Sequence, residues 1–247
     1  MIDPMIESDQ RGILVITGTG TGVGKTIVTA AIAALADAAG QRVAVVKLAQ
    51  TGVRPGKHRG PGSDTPDLET ITRLSGVTDT HELARFPDPL SPEAAARVSG
   101  LPAADLDASA DYIAKLADSR DLVLVEGAGG LLVRYDPAGT TIADLSAALH
   151  APALVVTTPA LGTLNHTALT LEALAARKII STGIVIGSWP DRPGLAELTN
   201  LTDLEVIAGG SLAGLLPEGA GALDRQAFLA VATAGLIPSL GGTRGKR

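Results

Sequence analysis

Cysteine is absent from the chain, which excludes disulfide scaffolds, thiolate nucleophiles, Fe–S clusters and Cys-ligated zinc. Aromatic residues make up only 2%, namely Phe86, Phe228, Tyr112, Tyr135 and Trp189, so a stacking platform for single-stranded nucleic acid has no material. Basic residues fall short of acidic ones, 20 against 26, giving a net charge of −6. A negative chain has no global field to hold a polyanion, so sequence-independent nucleic-acid binding is not expected, whereas a nucleotide-sized anion needs only a local site. Long hydrophobic runs are also missing. The longest uncharged stretch, Leu145 to Leu171, is interrupted by Pro152, Pro159, Gly162 and Asn165 and changes its pattern midway, so it does not read as a membrane span. The first ten residues carry three acids and Pro4 without the apolar stretch of a signal peptide. A cytoplasmic protein is expected, with residues 1–10 and 241–247 frayed.

What the 247 residues do contain is 45% hydrophobic, largely aliphatic and alanine, enough for one buried core. Short runs rich in β-branched residues, at 13–17, 43–48, 122–126, 153–157, 183–187 and 212–216, alternate with helix-period segments at 25–39, 67–74, 92–98, 105–119, 142–149, 164–177 and 224–234. This alternation predicts an α/β fold over 1–247 as a single domain, doubly wound around a mostly parallel sheet. The glycine- and proline-rich stretch 52–66 is the one long irregular segment, placed after a strand where α/β proteins bind ligands.

The strongest motif is Gly18-Thr-Gly-Thr-Gly-Val-Gly-Lys-Thr26, between an apolar strand and a helix opening at Lys25. Glycines let successive backbone N–H groups converge on phosphate oxygens and the helix N-terminus adds its positive end. The Lys25 ammonium reaches the outer phosphates and the Thr26 hydroxyl suits Mg²⁺. Relative to the usual spacing the loop has one extra residue. A dinucleotide fingerprint fits in neither register, because its third glycine would fall on Val23 or Lys25.

Three further features point to the same crevice. Glu126 ends an apolar strand and precedes Gly127-Ala-Gly-Gly130, where a carboxylate can hold Mg²⁺. Lys47 lies in another apolar strand, a costly position unless it is paired or aimed at a ligand. Asp67 starts an amphipathic helix, where it serves either as an N-terminal stabiliser or, in competition with Asp64 and Glu69, as a metal ligand. The run Leu161-Gly-Thr-Leu-Asn-His166 opens a helix whose N–H groups bind a carboxylate or are simply capped, with Thr163 as the cap. The histidines, His58, His81, His150 and His166, show no ligand spacing and read as surface or core residues.

Taken in order, the phosphate loop, Lys47-Leu-Ala-Gln-Thr-Gly52, Glu126-Gly-Ala-Gly-Gly130 and Leu161-Gly-Thr-Leu-Asn-His166 resemble the dethiobiotin synthetase family from about Ile13 to Leu223. The resemblance implies a P-loop NTPase fold with a seven-stranded sheet and a cytoplasmic homodimer. It also implies an ATP- and Mg²⁺-dependent ring closure on 7,8-diaminononanoate with CO₂ or bicarbonate. It implies Lys25 and Lys47 as catalytic cations and Thr26, Asp67 and Glu126 as the Mg²⁺ ligands. Nucleotide binding would fall to Gly22, Val23, Gly24, Lys25, Thr26 and Ile27, with Asp67, Glu126, Gly127, Ala128 and Gly129 around the phosphates. The base would lie against Gly187, Ser188, Leu216, Pro217 and Glu218. Thr51 would meet the carbamate, and Gly162, Thr163, Leu164 and Asn165 would hold the substrate carboxylate from the neighbouring subunit.

The chain departs from the family pattern at several points. Lys47-Leu48 replaces a common Lys-Pro, Thr51 a common serine, and Gly20 and Gly22 acids found in some members. Gly187 stands where members offer an asparagine to the base, so weak base selectivity is expected. The rival readings are a ParA/MinD-like switch ATPase and an amidoligase of related fold. The loop lacks the early lysine of the former and the chain lacks the nucleophilic cysteine of the latter's amidotransferase domain.

Overall fold

The computed structural model describes residues 12–53 and 65–245. Asp64, most of the irregular stretch after Gly52 and residues 1–10 of the expected frayed end lie outside the described residues. The other expected frayed end is partly corrected: Gly242, Thr243 and Arg244 donate backbone hydrogen bonds to Ile237, Thr233 and Leu236 carbonyls, which fasten it to the last turn of the preceding helix and the residues just after it.

In chain order the elements are β1 (Ile13–Gly18), α1 (Lys25–Ala38), β2 (Val43–Lys47), β3 (Gln50–Thr51), α2 (Asp67–Ser75), β4 (Thr80–Glu82) and β5 (Arg85–Phe86). They continue with α3 (Pro92–Ser99), α4 (Leu106–Ala117), β6 (Leu122–Glu126), α5 (Ile142–Ala148) and β7 (Ala153–Thr157). The chain closes with α6 (Thr163–Ala176), β8 (Ser181–Trp189), α7 (Leu195–Ala208), β9 (Gly214–Pro217) and α8 (Arg225–Gly235).

Seven strands form one sheet in the order β4-β2-β6-β1-β7-β8-β9, all pairings parallel. Alternation along β1 explains the two-sided core. Ile13 and Val15 join the cluster under α3, α4, α5, α6 and α7, while Leu14 and Ile16 join the cluster under α1, α2 and α8. Each such side chain, fully removed from water, contributes roughly 1.5–3 kcal/mol, which is why both faces must be covered. The alanine-rich α1 buries ten of its fourteen residues, so small side chains let it lie close to the sheet. The expected α/β doubly wound fold is therefore observed. The order reverses at β1, whose neighbours β6 and β7 lead away on either side, and the crevice at their carboxyl ends is where such folds bind ligands.

Four elements escaped the sequence reading, the two-residue strands β3 and β5, edge strand β4 and helix α7, and some strand limits move. Helix α7 keeps Leu195, Leu198 and Val206 exposed, so it carries no clean apolar stripe, yet Glu197 Oε2 accepts from the Gly194 N–H as a capping box would. Edge strand β4 is three polar residues long, too short for a period to register. Strand β8 extends beyond the expected 183–187 to Trp189, with irregular pairing between Ile186 and Trp189, and β9 begins at Gly214 rather than 212.

Candidate active site

The phosphate loop leaves β1 at Gly18 and enters α1 through Gly24, which has φ +96 and leads directly into the helix. Its start is pinned by the Thr19 N–H donating to Val156 O. Gly24 and Gly187 are pressed together: a Cβ on Gly24 would lie 2.7 Å from Gly187 O, and one on Gly187 would strike Val23 O. Glycine at 187 is therefore required by backbone approach between β8 and the loop, and no side chain can grow from it toward a base. In the closed loop Lys25 Nζ donates to Gly20 O at 2.8 Å. Burial and the nearby Lys47 push the Lys25 amine down to about 8.

Below the loop the strand ends bring four sequence-predicted residues to one point. Lys47 Nζ, at the end of β2, lies 2.8 Å from Glu126 Oε1, 2.5 Å from Asp67 Oδ2 and 3.2 Å from Gly127 O. Thr26, in the first turn of α1, donates to the same Glu126 Oε1 at 3.0 Å. Register accounts for the meeting, because Lys47 pairs opposite Glu126 across β2 and β6. Both are buried, at 3% and 0% exposure. Burial opposes a charge on Lys47, but Glu126 and Asp67 outweigh it and hold its amine above the ordinary lysine value.

Glu126 Oε2 is buried and has no hydrogen-bond partner, one of two such side-chain oxygens among the described residues. A buried carboxylate oxygen without a donor calls for a cation. A threonine hydroxyl and two carboxylates are hard oxygen donors of the kind Mg²⁺ takes, with phosphates and water completing its shell. The residues present therefore fit the metal that the sequence implied.

The remaining predicted residues fall around this point. Gly127, Ala128 and Gly129 follow Glu126, and the Ala128 N–H donates to Tyr135 Oη at 2.7 Å. Tyr135 was not anticipated, since a lone tyrosine has no spacing to betray it. Burial drives its phenol up to about 12, so it stays protonated and holds this glycine segment. Gln50 was passed over as well: its Oε1 accepts from the Asp67 N–H at 3.0 Å, fixing the start of α2. Thr51 is half-buried beside it in β3, which pairs with β5.

On the base side, Ser188 is half-buried in β8 and Glu218 donates its N–H to Trp189 O. Leu216 points into the core and is fully buried, so only its backbone can face a ligand, while Pro217 is half-buried and Glu218 exposed. A Cβ on Gly221 would lie 3.0 Å from Ile27, which puts this segment over the start of α1.

At the opposite flank, Gly162 caps α6 in the left-handed region with open space at its Cα. Thr163 is not the cap that the sequence suggested: its hydroxyl is buried and bonds Thr157. Leu164 is half-buried, and Asn165 and His166 are exposed. Open beside them is a cavity of about 310 Å³ lined by Thr19, Gly130, Leu132, Val133, His166 and Leu169. His166 stands exposed at the wall of this cavity, in keeping with its reading as a surface residue.

A family model described as an AAA domain matches residues 12–218. The ATP-dependent dethiobiotin synthetase BioD of Frankia casuarinae is 62% identical over 93% of this chain and 94% of its own length. The chain belongs to the dethiobiotin synthetase family. The synthetase of Streptomyces avermitilis is 54% identical over 94% of both chains. Among solved structures, MinD in the MinC:MinD complex of Aquifex aeolicus aligns with a TM-score of 0.55 over 95% of this chain and 98% of that one. The cell division ATPase MinD of Pyrococcus furiosus gives 0.54 over 90% and 97%. At 15% and 20% identity these share the P-loop fold with the dethiobiotin synthetase chain and nothing finer. The switch-ATPase rival therefore reduces to a distant fold relation.

Proposed function

We propose that the chain is an ATP-dependent dethiobiotin synthetase of biotin biosynthesis, a cyclo-ligase joining 7,8-diaminononanoate and CO₂ into a cyclic urea in the cytoplasm. The observation that carries this reading is the convergence of Lys25, Thr26, Lys47, Asp67 and Glu126 beneath the phosphate loop in a chain of this family.

One amine of the substrate adds to CO₂ and loses a proton, giving a carbamate. A carbamate oxygen attacks the γ-phosphorus and ADP leaves, forming a carbamic-phosphoric anhydride. The second amine then attacks the carbonyl carbon, phosphate departs, and the ureido ring closes. Charge accumulates on phosphoryl oxygens through the middle step, so positioned cations are the main catalytic need. Lys25 leaves Gly20 O for the outer phosphates, and Lys47 faces the carbamate and γ-phosphate from beside Glu126. Thr26, Asp67 and Glu126 would hold Mg²⁺, which when bound would neutralise phosphate oxygens. Thr51 contacts the carbamate, and fixing amine and carbonyl together removes the entropy of a bimolecular encounter.

The substrate carboxylate is held by Gly162 to Asn165 at the positive end of α6, where the Thr163 N–H already donates to Ala160 O, so that Thr163 serves through its place in the turn. We place this end in the neighbouring subunit's site. Leu132, Leu161 and Leu169 are exposed, Leu132 and Leu169 on the cavity wall and Leu161 at the opening of α6, an apolar edge that a second copy would cover. The test is phosphate release from ATP and Mg²⁺ with and without the diamine and bicarbonate. Release requiring both supports the synthetase, and slow release indifferent to both removes it.

A further inference from the structure

Hydroxyls join the opening of α6 to the phosphate loop. Thr157, the last residue of β7, is fully buried, and its Oγ1 lies 2.7 Å from Thr163 Oγ1, 3.0 Å from Thr167 Oγ1 and 3.2 Å from Thr19 Oγ1. Thr163 and Thr167 stand one turn apart on the buried side of α6, and Thr19 belongs to the phosphate loop and the cavity wall. A hydroxyl has one proton and two lone pairs, so three hydroxyl neighbours saturate Thr157, which donates to one and accepts from two. Packing alone does not call for this, since valine fills the same shape without a polar atom to satisfy.

We propose that Thr157 is a positioning residue that couples nucleotide bound at the phosphate loop to substrate held at the first turn of α6. The proposal rests on the reading of that turn as the carboxylate site. The single proton on Thr157 makes the contacts interdependent. When the Thr19 hydroxyl donates its hydrogen bond to a phosphate oxygen, Thr157 donates to Thr19, and both α6 threonines donate to Thr157. The nucleotide thereby fixes the hub, and the first turn of α6 has less left to order when it receives a carboxylate. The effect is reciprocal, as linkage requires. Since α6 serves the neighbouring subunit in the dimer proposed above, the link runs from the nucleotide of one active site to the substrate of the other.

The experiment measures the dissociation constant of a non-hydrolysable ATP analogue with Mg²⁺ on the full chain, with and without saturating 7,8-diaminononanoate and without bicarbonate. In the unaltered protein the diamine should tighten nucleotide binding about twofold to tenfold, the range one hydrogen bond supplies. Thr157→Val should abolish that tightening and Thr157→Ser should keep it, since serine restores the hydroxyl. Thr163→Val cuts the link from the α6 end and decides the matter if Thr157→Val does not fold. A tightening factor unchanged in the valine variants, or equal to one in the unaltered protein, overturns the coupling. Asn165→Pro, which removes one of the N–H groups of that turn at a position where the first turn tolerates proline, separates the two ideas: an unchanged KM for the diamine overturns the carboxylate reading, whereas a raised KM with unchanged coupling in Thr157→Val overturns only the role of Thr157.

Discussion

Lys47 holds together Asp67 and Glu126, the two carboxylates proposed above as metal ligands, from a position with almost no access to water. Lys47→Ala should therefore abolish turnover while leaving nucleotide affinity largely intact. It should also lower stability by about 3–5 kcal/mol, because Glu126 is left buried without its charge partner. Single-turnover assays, nucleotide titration and denaturant melts check the three parts, and unchanged turnover would remove Lys47 from the mechanism. Gly187 makes a second residue-scale case. Its Cα is pressed against Gly24, so position 187 offers no side chain to the base proposed to lie there, and ATP should outcompete CTP and GTP by less than about a hundredfold, the discrimination that one buried hydrogen bond supplies. Competition binding with the three nucleotides checks it, and a larger preference for ATP contradicts it. Lys25, Thr26, Lys47 and Glu126 were readable because each breaks an apolar or glycine pattern at a strand or helix end. Tyr135 and Thr157 were not, since a lone tyrosine or threonine acquires its role only from what the fold lays beside it.

Helices and strands with a strong period were legible almost to the residue: β6 and β7 fall where the sequence put them, and α1 differs by one residue at its end. Edge strand β4 was not, and its support is polar rather than apolar. Asp79, just before β4, takes a hydrogen bond from Arg120 Nε and pairs with His81, whose other ring nitrogen meets Tyr112 of α4. Burial opposes the Asp79 carboxylate, but the Arg120 and His81 hydrogen bonds outweigh it and hold its pKa below the ordinary value of 3.8. A carboxyl depressed in the folded state stabilises above its unfolded pKa and loses that contribution as pH falls through the folded one. Thermal midpoints should thus drop on acidification from about pH 5 to about pH 3, and Asp79→Asn should flatten that drop while lowering the midpoint near neutrality. Equal slopes for the two proteins would show that this cluster does not anchor the strand.

For the whole molecule, the alternation of strands and helices announced a doubly wound sheet, and the order of four motifs announced the family. Neither carried the shape of the cavity or the exposed leucines beside it. Leu169→Glu places a charge on the edge that a second copy is expected to cover, and should shift the protein toward monomer in sedimentation and raise the KM for the diamine. A dimer that persists with unaltered KM would place the interface elsewhere. Among the described residues no helix is long and apolar enough to cross a membrane, so the apolar edge belongs to an element too short for a span.

The most direct measurement supplies ¹³C-bicarbonate, ATP, Mg²⁺ and 7,8-diaminononanoate to the protein and follows product mass together with ADP and phosphate. The expected result is a cyclic urea carrying one labelled carbon, formed with one ADP and one phosphate, and no ADP when the diamine is omitted. ADP formation without label in an organic product would contradict the synthetase and leave a phosphate loop whose partner is still to be found.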